Sequence, residues 1–242
     1  MTEMMGMTMR SFALILASAV TLGACVPVTP PAAPPAQSPS LSPEQAVINF
    51  REVIDRVEPV AEQVCREQTP DQLCDFAIYV DRDPQSGVNA FHTIDDNGQP
   101  AIIFTIGLIA VAANTDELAF VMGHEAGHHI GRHLPQVQAS ADLGAQILTQ
   151  IARASGINEA ALGGVAQVGA VVASRQYGRQ AELEADAIGT IIAQRAGYDP
   201  LRGADFFTRI PDPARSFLAT HPPNAQRIET VRRTLAGRVP GT

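Results

Sequence analysis

The chain has 242 residues, 45% of them hydrophobic, enough for one ordinary domain with extensions and a sizeable core. There is no Trp and aromatics make up only 5%, so that core must be built from Ala, Val, Ile and Leu, a composition suited to closely packed helices. A formal charge of -8 without a Lys/Arg-dense run excludes nucleic acid as a partner class.

The first segment is a targeting signal rather than part of the fold. Arg10 supplies a positive start, and Phe12 to Leu22 is an apolar run too short for a transmembrane helix. It ends in Leu22-Gly23-Ala24-Cys25, which resembles the lipobox of bacterial lipoproteins and assigns residues 1–24 to a signal peptide and Cys25 to lipidation. Val26 follows the cysteine where an aspartate is absent, which by enterobacterial sorting rules points to the outer membrane. Residues 25–43 carry seven prolines (Pro27, Pro30, Pro31, Pro34, Pro35, Pro39 and Pro43) and no charge. Such a stretch buries no core; at ~3.1 Å per residue it is a stiff tether reaching up to ~50 Å.

A domain is expected over residues 44–242. Ser42-Pro43-Glu44-Gln45 reads as a helix start, with Ser42 as the N-cap. Ala46, Val47, Phe50, Val53, Ile54 and Val57 then recur at helical spacing, and Pro59 is expected to kink or interrupt the helix before it resumes toward Cys65. With Cys25 set aside, Cys65 and Cys74 form an even pair; an exported chain favours a disulfide between them over two unrelated buried thiols. Three strands follow, at 76–80, 88–94 and 101–105, with an Asn97-Gly98 hairpin turn before the last, and predict a small, largely antiparallel sheet. His92, within the second strand, reads as a structural or exposed residue more readily than as a ligand. A short helix at 106–112 precedes a second capping signal, Asn114 with Glu117, which opens the helix carrying the most informative motif.

That motif is His124-Glu125-Ala126-Gly127-His128, an H-E-x-x-H. Residues four apart lie on one helix face, so His124 and His128 can offer two imidazoles to one zinc ion, while Glu125 flanks that face within reach of a metal-bound water. Catalytic zinc takes three protein ligands, and two completions compete. A metzincin-like glycine turn fits Gly131, but its ligand position then falls on Leu134 and the nearby histidine, His133, comes one residue early. The alternative is a glutamate on a separate helix. Glu182 and Asp186 are four apart on one face, so Glu182 can bind zinc while Asp186 accepts a hydrogen bond from a ligand histidine and fixes its tautomer. This completion puts His129 and His133 behind the ligands or at the surface and leaves Glu184 solvated. Between the two motifs, residues 139–173 are Ala/Gly-rich and helical, and read as tightly packed helices ahead of a lid or membrane-leaning element. The helix carrying Glu182 stops at Gly197-Tyr198-Asp199-Pro200.

H-E-x-x-H followed by Arg179-x-x-Glu182-x-x-Ala185-Asp186 resembles the zinc peptidase family of HtpX and the CAAX prenyl endopeptidase, most of all its LoiP/BepA-like periplasmic metalloproteases. Asn89-Ala90-Phe91, Gly197-Tyr198-Asp199-Pro200, Thr220-His221-Pro222-Pro223 and Arg227-Ile228 add to the likeness, which covers about residues 42–235. The resemblance implies an α+β, mainly helical gluzincin-type domain with one zinc held by His124, His128 and Glu182, and Glu125 as general base. It places Asp186 and Arg179 behind the ligands, Asn89 and Ala90 on a substrate-aligning edge strand, and His221 near the zinc as oxyanion stabiliser or latch. It further implies an outer-membrane lipoprotein facing the periplasm, anchored at Cys25. Its substrates would be polypeptides, misfolded or misassembled envelope and outer-membrane proteins among them; the oligomeric state stays open. Unlike HtpX and the prenyl endopeptidase, the chain shows no transmembrane helices after its signal. The alternative from a different class is a chaperone-like binding protein whose zinc site is structural or latched shut.

Overall fold

The structure is a computed structural model that describes residues 42–174, 178–209 and 223–238. The signal peptide, Cys25, nearly all of the tether and His221 lie outside the described residues.

Helix α1 (Pro43–Gln68) starts where its cap demands: the Ser42 hydroxyl accepts the Gln45 amide at 3.2 Å and Pro43 is the first helical residue. Ala46, Phe50, Val53, Val57, Ala61 and Val64 form its buried stripe, whereas Val47 is exposed. The expected break at Pro59 does not occur, and α1 runs on through it. Pro59 is on the exposed side, where water can take the carbonyl left without an amide partner. The last turn of α1 is joined to the following loop by a Cys65–Cys74 disulfide.

Strands β1 (Ala77–Asp81), β2 (Ala90–Ile94) and β3 (Pro100–Thr105) form a sheet of order β1-β3-β2. The sheet is mixed rather than largely antiparallel. β2 and β3 pair antiparallel as a hairpin, with His92 opposite Ile102, but β1 pairs parallel with β3, Ala77 opposite Ala101. The reason is topological. The chain does reverse between β1 and β2, but through an eight-residue loop that leaves a strand-wide gap, and β3 returns into that gap. Among the described residues both outer strands are therefore edges, and β2 is the edge nearer the helix with the histidines.

One short element leads there, α2 (Ile106–Val111), capped by the Thr105 hydroxyl, and the histidine helix α3 (Thr115–Ile130) follows. Two bonds hold the start of α3: Asn114 Oδ1 accepts the Glu117 amide at 3.1 Å, and Glu117 Oε2 accepts the amide of Ala113, one residue before the cap, at 2.8 Å. From Asp116 to Ile130 every residue of α3 is buried, so this helix is the centre of the domain rather than a surface amphipath. Helices α4 (His133–Ala154) and α5 (Glu159–Ser174) pack on one another, and α6 (Arg179–Arg195) crosses α3. Short helices α7 (Pro200–Ala204) and α8 (Phe206–Arg209) precede α9 (Asn224–Leu235), which lies against α6. The core gathers the buried stripe of α1, Ile102 and Phe104 of β3, Leu118, Phe120 and Met122 of α3, Ile192 of α6 and Val231 of α9. Among the described residues no helix is long and apolar enough to cross a membrane.

Candidate metal centre

The contact between α3 and α6 is close because it is made by glycines. A Cβ placed on Gly123 would stand 2.9 Å from the Gly189 carbonyl, and one on Gly127 would stand 2.8 Å from that of Ala185. Gly123 and Gly127 on α3, and Ala185 and Gly189 on α6, are thus two small-x-x-x-small pairs that let the backbones touch. The side chains beside this seam are His124 and His128 from one helix and Glu182 and Asp186 from the other, all buried.

Among the described residues, His124, His128 and Glu182 form a cluster whose ligand atoms lie within 4.8 Å of one another. The two Nε2 atoms are 3.0 Å apart, and each is 3.6 Å from one oxygen of the Glu182 carboxylate. Zinc ligands at about 2.0–2.1 Å in tetrahedral array stand roughly 3.3 Å from one another. The observed spacings bracket that value, and two imidazoles with one carboxylate are a known donor set for catalytic zinc. The residues fit the metal.

Behind each imidazole the other ring nitrogen is held. His124 Nδ1 donates to Asp186 Oδ1 at 2.9 Å. Asp186 in turn accepts two bonds from Arg227 of α9, at 2.9 Å to Oδ2 and 2.7 Å to Oδ1, and that guanidinium lies 3.7 Å above the Phe207 ring. Burial pushes the Asp186 pKa up, but Arg227 and the bond to His124 outweigh it and hold the carboxyl at about 2. Burial and Arg227 push His124 down, yet its bond to Asp186 and the nearby carboxylates leave it raised. His128 is driven the other way, well below the usual histidine value, by burial and then by its histidine neighbours. Its Nδ1 lies 3.0 Å from His133 Nδ1. Glu125, next to His124 on α3, is buried, and its charge is among the causes that raise the pKa of His124 and of Arg227.

The remaining expectations fall out unevenly. His129 is outside the cluster but is neither a surface group nor idle: it is buried, with Nε2 2.7 Å from the Leu73 carbonyl oxygen and Nδ1 3.2 Å from His92 Nε2. His92 is buried with it, and burial followed by the charges of His129 and His133 lowers its pKa to about 3. His133 is fully buried too, and Glu184, expected to be solvated, turns its half-exposed carboxylate to 3.5 Å from His133 Nε2. Arg179, expected behind the ligands, is instead exposed at the first residue of α6. The guanidinium at the site is Arg227, which enters from α9 and needs no long reach. In the sequence Arg227 stands only as a point of family likeness. The usable signal was its position four residues before Val231 on the inward face of an otherwise polar helix. Asn89 directly precedes edge strand β2, its backbone fixed by Thr105 through bonds of 2.9 and 3.0 Å, and Ala90 opens the strand. A cavity of about 270 Å³ opens beside that edge, walled by His92, Thr93, Ile94, His128, Leu134 and Pro135.

Comparison with known proteins agrees with this geometry. Residues 48–235 match peptidase family M48. The mitochondrial metalloendopeptidase OMA1 of Saccharomyces cerevisiae is 30% identical over 173 residues, covering 66% of this chain and 47% of its own length. The beta-barrel assembly-enhancing protease of Escherichia coli K12 is 32% identical over 165 residues, 60% of this chain and 32% of its own. A putative beta-barrel assembly-enhancing protease of Vibrio cholerae is 32% identical over 139 residues, 52% and 29%. The chain thus spans half or less of the length of these relatives. With the match covering both helices of the seam and the α9 helix that supplies Arg227, the chain belongs to peptidase family M48.

Proposed function

We propose that the chain is a zinc-dependent endopeptidase of the bacterial cell envelope that cleaves misfolded or misassembled envelope proteins. The observation that carries the chemistry is the buried cluster of His124, His128 and Glu182 with Glu125 beside it. Zinc bound there would supply a Lewis acid for the scissile carbonyl and a water of lowered pKa. The chain's own residues do the rest. His124 and His128 keep their Nδ1 protons directed at Asp186 and His133, which leaves both Nε2 lone pairs for the metal. Glu125 is the general base: its carboxylate takes the proton of the attacking water and returns it to the leaving amine. An extended substrate adds to the free edge of β2, with Asn89 and Ala90 at its start, and places a side chain in the neighbouring cavity. His221 is proposed to approach the zinc and stabilise the oxyanion, or to occupy the open position at rest.

The envelope setting is supported by the lipobox at Cys25, the Pro-rich tether and the Cys65–Cys74 disulfide, which fits an oxidising compartment. The similarity to proteins named for assembly of β-barrels supports outer-membrane proteins as a substrate class. On this reading the protein is an outer-membrane lipoprotein facing the periplasm. The test is casein cleavage by the full-length protein, beside Glu125→Gln and beside a chelator. Both controls should abolish cleavage, and persistence of activity in either rejects zinc hydrolysis.

A further inference from the structure

The turn between α3 and α4 has three features that converge on one side chain. Arg132 is the only non-glycine among the described residues with positive φ, at 55°. That left-handed step reverses the chain immediately after α3, so that the first residue of α4, His133, folds back on the helix it has just left. Gly131 sits under the result. A Cβ there would stand 2.4 Å from His133 Nε2 and 2.6 Å from Cε1, although the Gly131 backbone, at φ −72°, is one any residue adopts. The glycine is therefore needed for the His133 ring and not for the turn. The ring so placed has Nδ1 3.0 Å from Nδ1 of His128 and Nε2 3.5 Å from Glu184 Oε2 on α6.

These contacts fix where the protons lie. For His128 to offer Nε2 to a metal its proton must sit on Nδ1, so His133 Nδ1 must accept it. His133 then carries its own proton on Nε2, facing the Glu184 carboxylate. We propose that His133 is a positioning residue for His128, holding that ring in its metal-binding tautomer and orientation, with Glu184 setting the tautomer of His133 and Gly131 making room for it. The two ligand histidines are thus held differently: His124 by a fully buried aspartate locked to Arg227, and His128 by a neutral imidazole whose partner reaches solvent. A glutamate that half faces water is a weaker clamp, so the His128 side is the softer half of the metal site.

The inference rests on the zinc peptidase reading, and one set of measurements separates the two. Zinc affinity of the full-length protein is measured by competition with a chromogenic chelator, with the visible spectrum of the Co²⁺ form and the thermal midpoint recorded for every variant. His133→Leu, which fills the space without an acceptor, should weaken zinc binding by about 10–100-fold and shift the Co²⁺ bands at saturating metal. His133→Asn, whose amide oxygen can stand near the position of Nδ1, should recover most of that loss. Glu184→Gln, on a half-exposed side chain that unfolding will not confuse, should weaken binding by under about tenfold. Gly131→Ala should weaken binding in the wild-type background and add little in His133→Asn, since the ring it would strike is gone. Zinc bound as tightly by His133→Leu as by wild type overturns the inference alone. So does an equal loss in His133→Leu and His133→Asn, or an equal effect of Gly131→Ala in both backgrounds. If wild type takes up no zinc that His124→Ala abolishes, the peptidase reading falls and this inference with it.

Discussion

Two helix pairs in this molecule are built with the same device and put to different ends. In α3 and α6, Gly123 and Gly127 meet Gly189 and Ala185 backbone to backbone; in α4 and α5, a Cβ on Gly169 would stand 2.4 Å from the Gly144 carbonyl. Only the second pair is read from sequence as a stretch rich in small residues. The first is flanked by His124, His128, Glu182 and Asp186, every one buried, whereas the second is flanked by Leu143, Ile147, Ile151 and Val168, each about half exposed. Close approach is therefore a means of delivering whatever stands beside the seam. It does not itself mark a site.

The sharpest way to break this contrast is to remove a carboxylate from each pair. Asp186→Asn leaves the Arg227 guanidinium buried without its charge partner, so it should destabilise the protein by roughly 3–5 kcal/mol in urea unfolding and loosen the zinc site. The exposed Asp142 of α4, changed to Asn, should leave stability within about 0.5 kcal/mol. Equal losses would mean that the Asp186–Arg227 pair is no more than another surface bridge.

Smaller in size but more discriminating is the glycine pair. Gly127→Ala and Gly169→Ala each push a methyl into backbone atoms of the facing helix, and each should cost about 1–3 kcal/mol in thermal or chemical unfolding. Only Gly127→Ala should also weaken zinc, because only its seam sets the distance between His128 and Glu182. Zinc affinity lowered as much by Gly169→Ala would mean that the α4–α5 pair supports the site and is not separate from it.

What could be read in the sequence divides along the same line. Helical spacing is local, so His124 with His128, and Glu182 with Asp186, could each be put on one face, and caps such as Ser42 and Asn114 marked the helix starts to the residue. Pairings across the chain were legible only where chemistry asks for a partner, as zinc does of Glu182 and a ligand histidine of Asp186. The parallel partnership of β1 with β3 depends on a strand inserted later, and Arg227 reaches Asp186 across 41 positions. His133 stands one residue early for a metzincin ligand, and the sequence does not say whether it lies behind the ligands or at the surface. Its contact with His128 follows from a left-handed Arg132, a conformation costing a non-glycine residue about 1–2 kcal/mol that no periodicity announces. Arg179 misses the site for a simpler reason: it is the first residue of α6 and exposed, two residues before the helix's first buried position, Ala181.

The buried side should also be the acid-sensitive side. His92 has a pKa of about 3 in the folded protein against about 6.5 unfolded, so between those values the unfolded chain holds a proton that the folded one does not. Stability is therefore complete above about pH 6.5 and falls as the pH drops toward 3, and His129 and His133, also lowered by burial, act in the same direction. For His92 alone the loss from pH 6.5 to 5 is about 1.6 kcal/mol. Urea unfolding of the chelator-treated protein at the two pH values should show it, and His92→Asn should make the dependence shallower. An unchanged dependence would place the acid sensitivity elsewhere.

The smallest expected effect tests the other half of the contrast. Leu143, Ile147 and Ile151 recur every four residues along one face of α4 and are 57%, 48% and 55% exposed. An apolar side chain already facing water loses little burial when it becomes polar, so serine at any of the three should change stability by under about 0.5 kcal/mol in urea unfolding. Helix propensity works against serine by a similar few tenths, so leucine or isoleucine to alanine is the better control, because alanine favours the helix and removes the same apolar surface. If both series stay near zero and zinc affinity does not move, the stripe contributes neither to the core nor to the metal site. A loss of about 2 kcal/mol or more on alanine substitution is the size expected for a buried aliphatic side chain. That result would show the face to be covered in the folded protein, and the two helix pairs would then differ in their ligands but not in their burial.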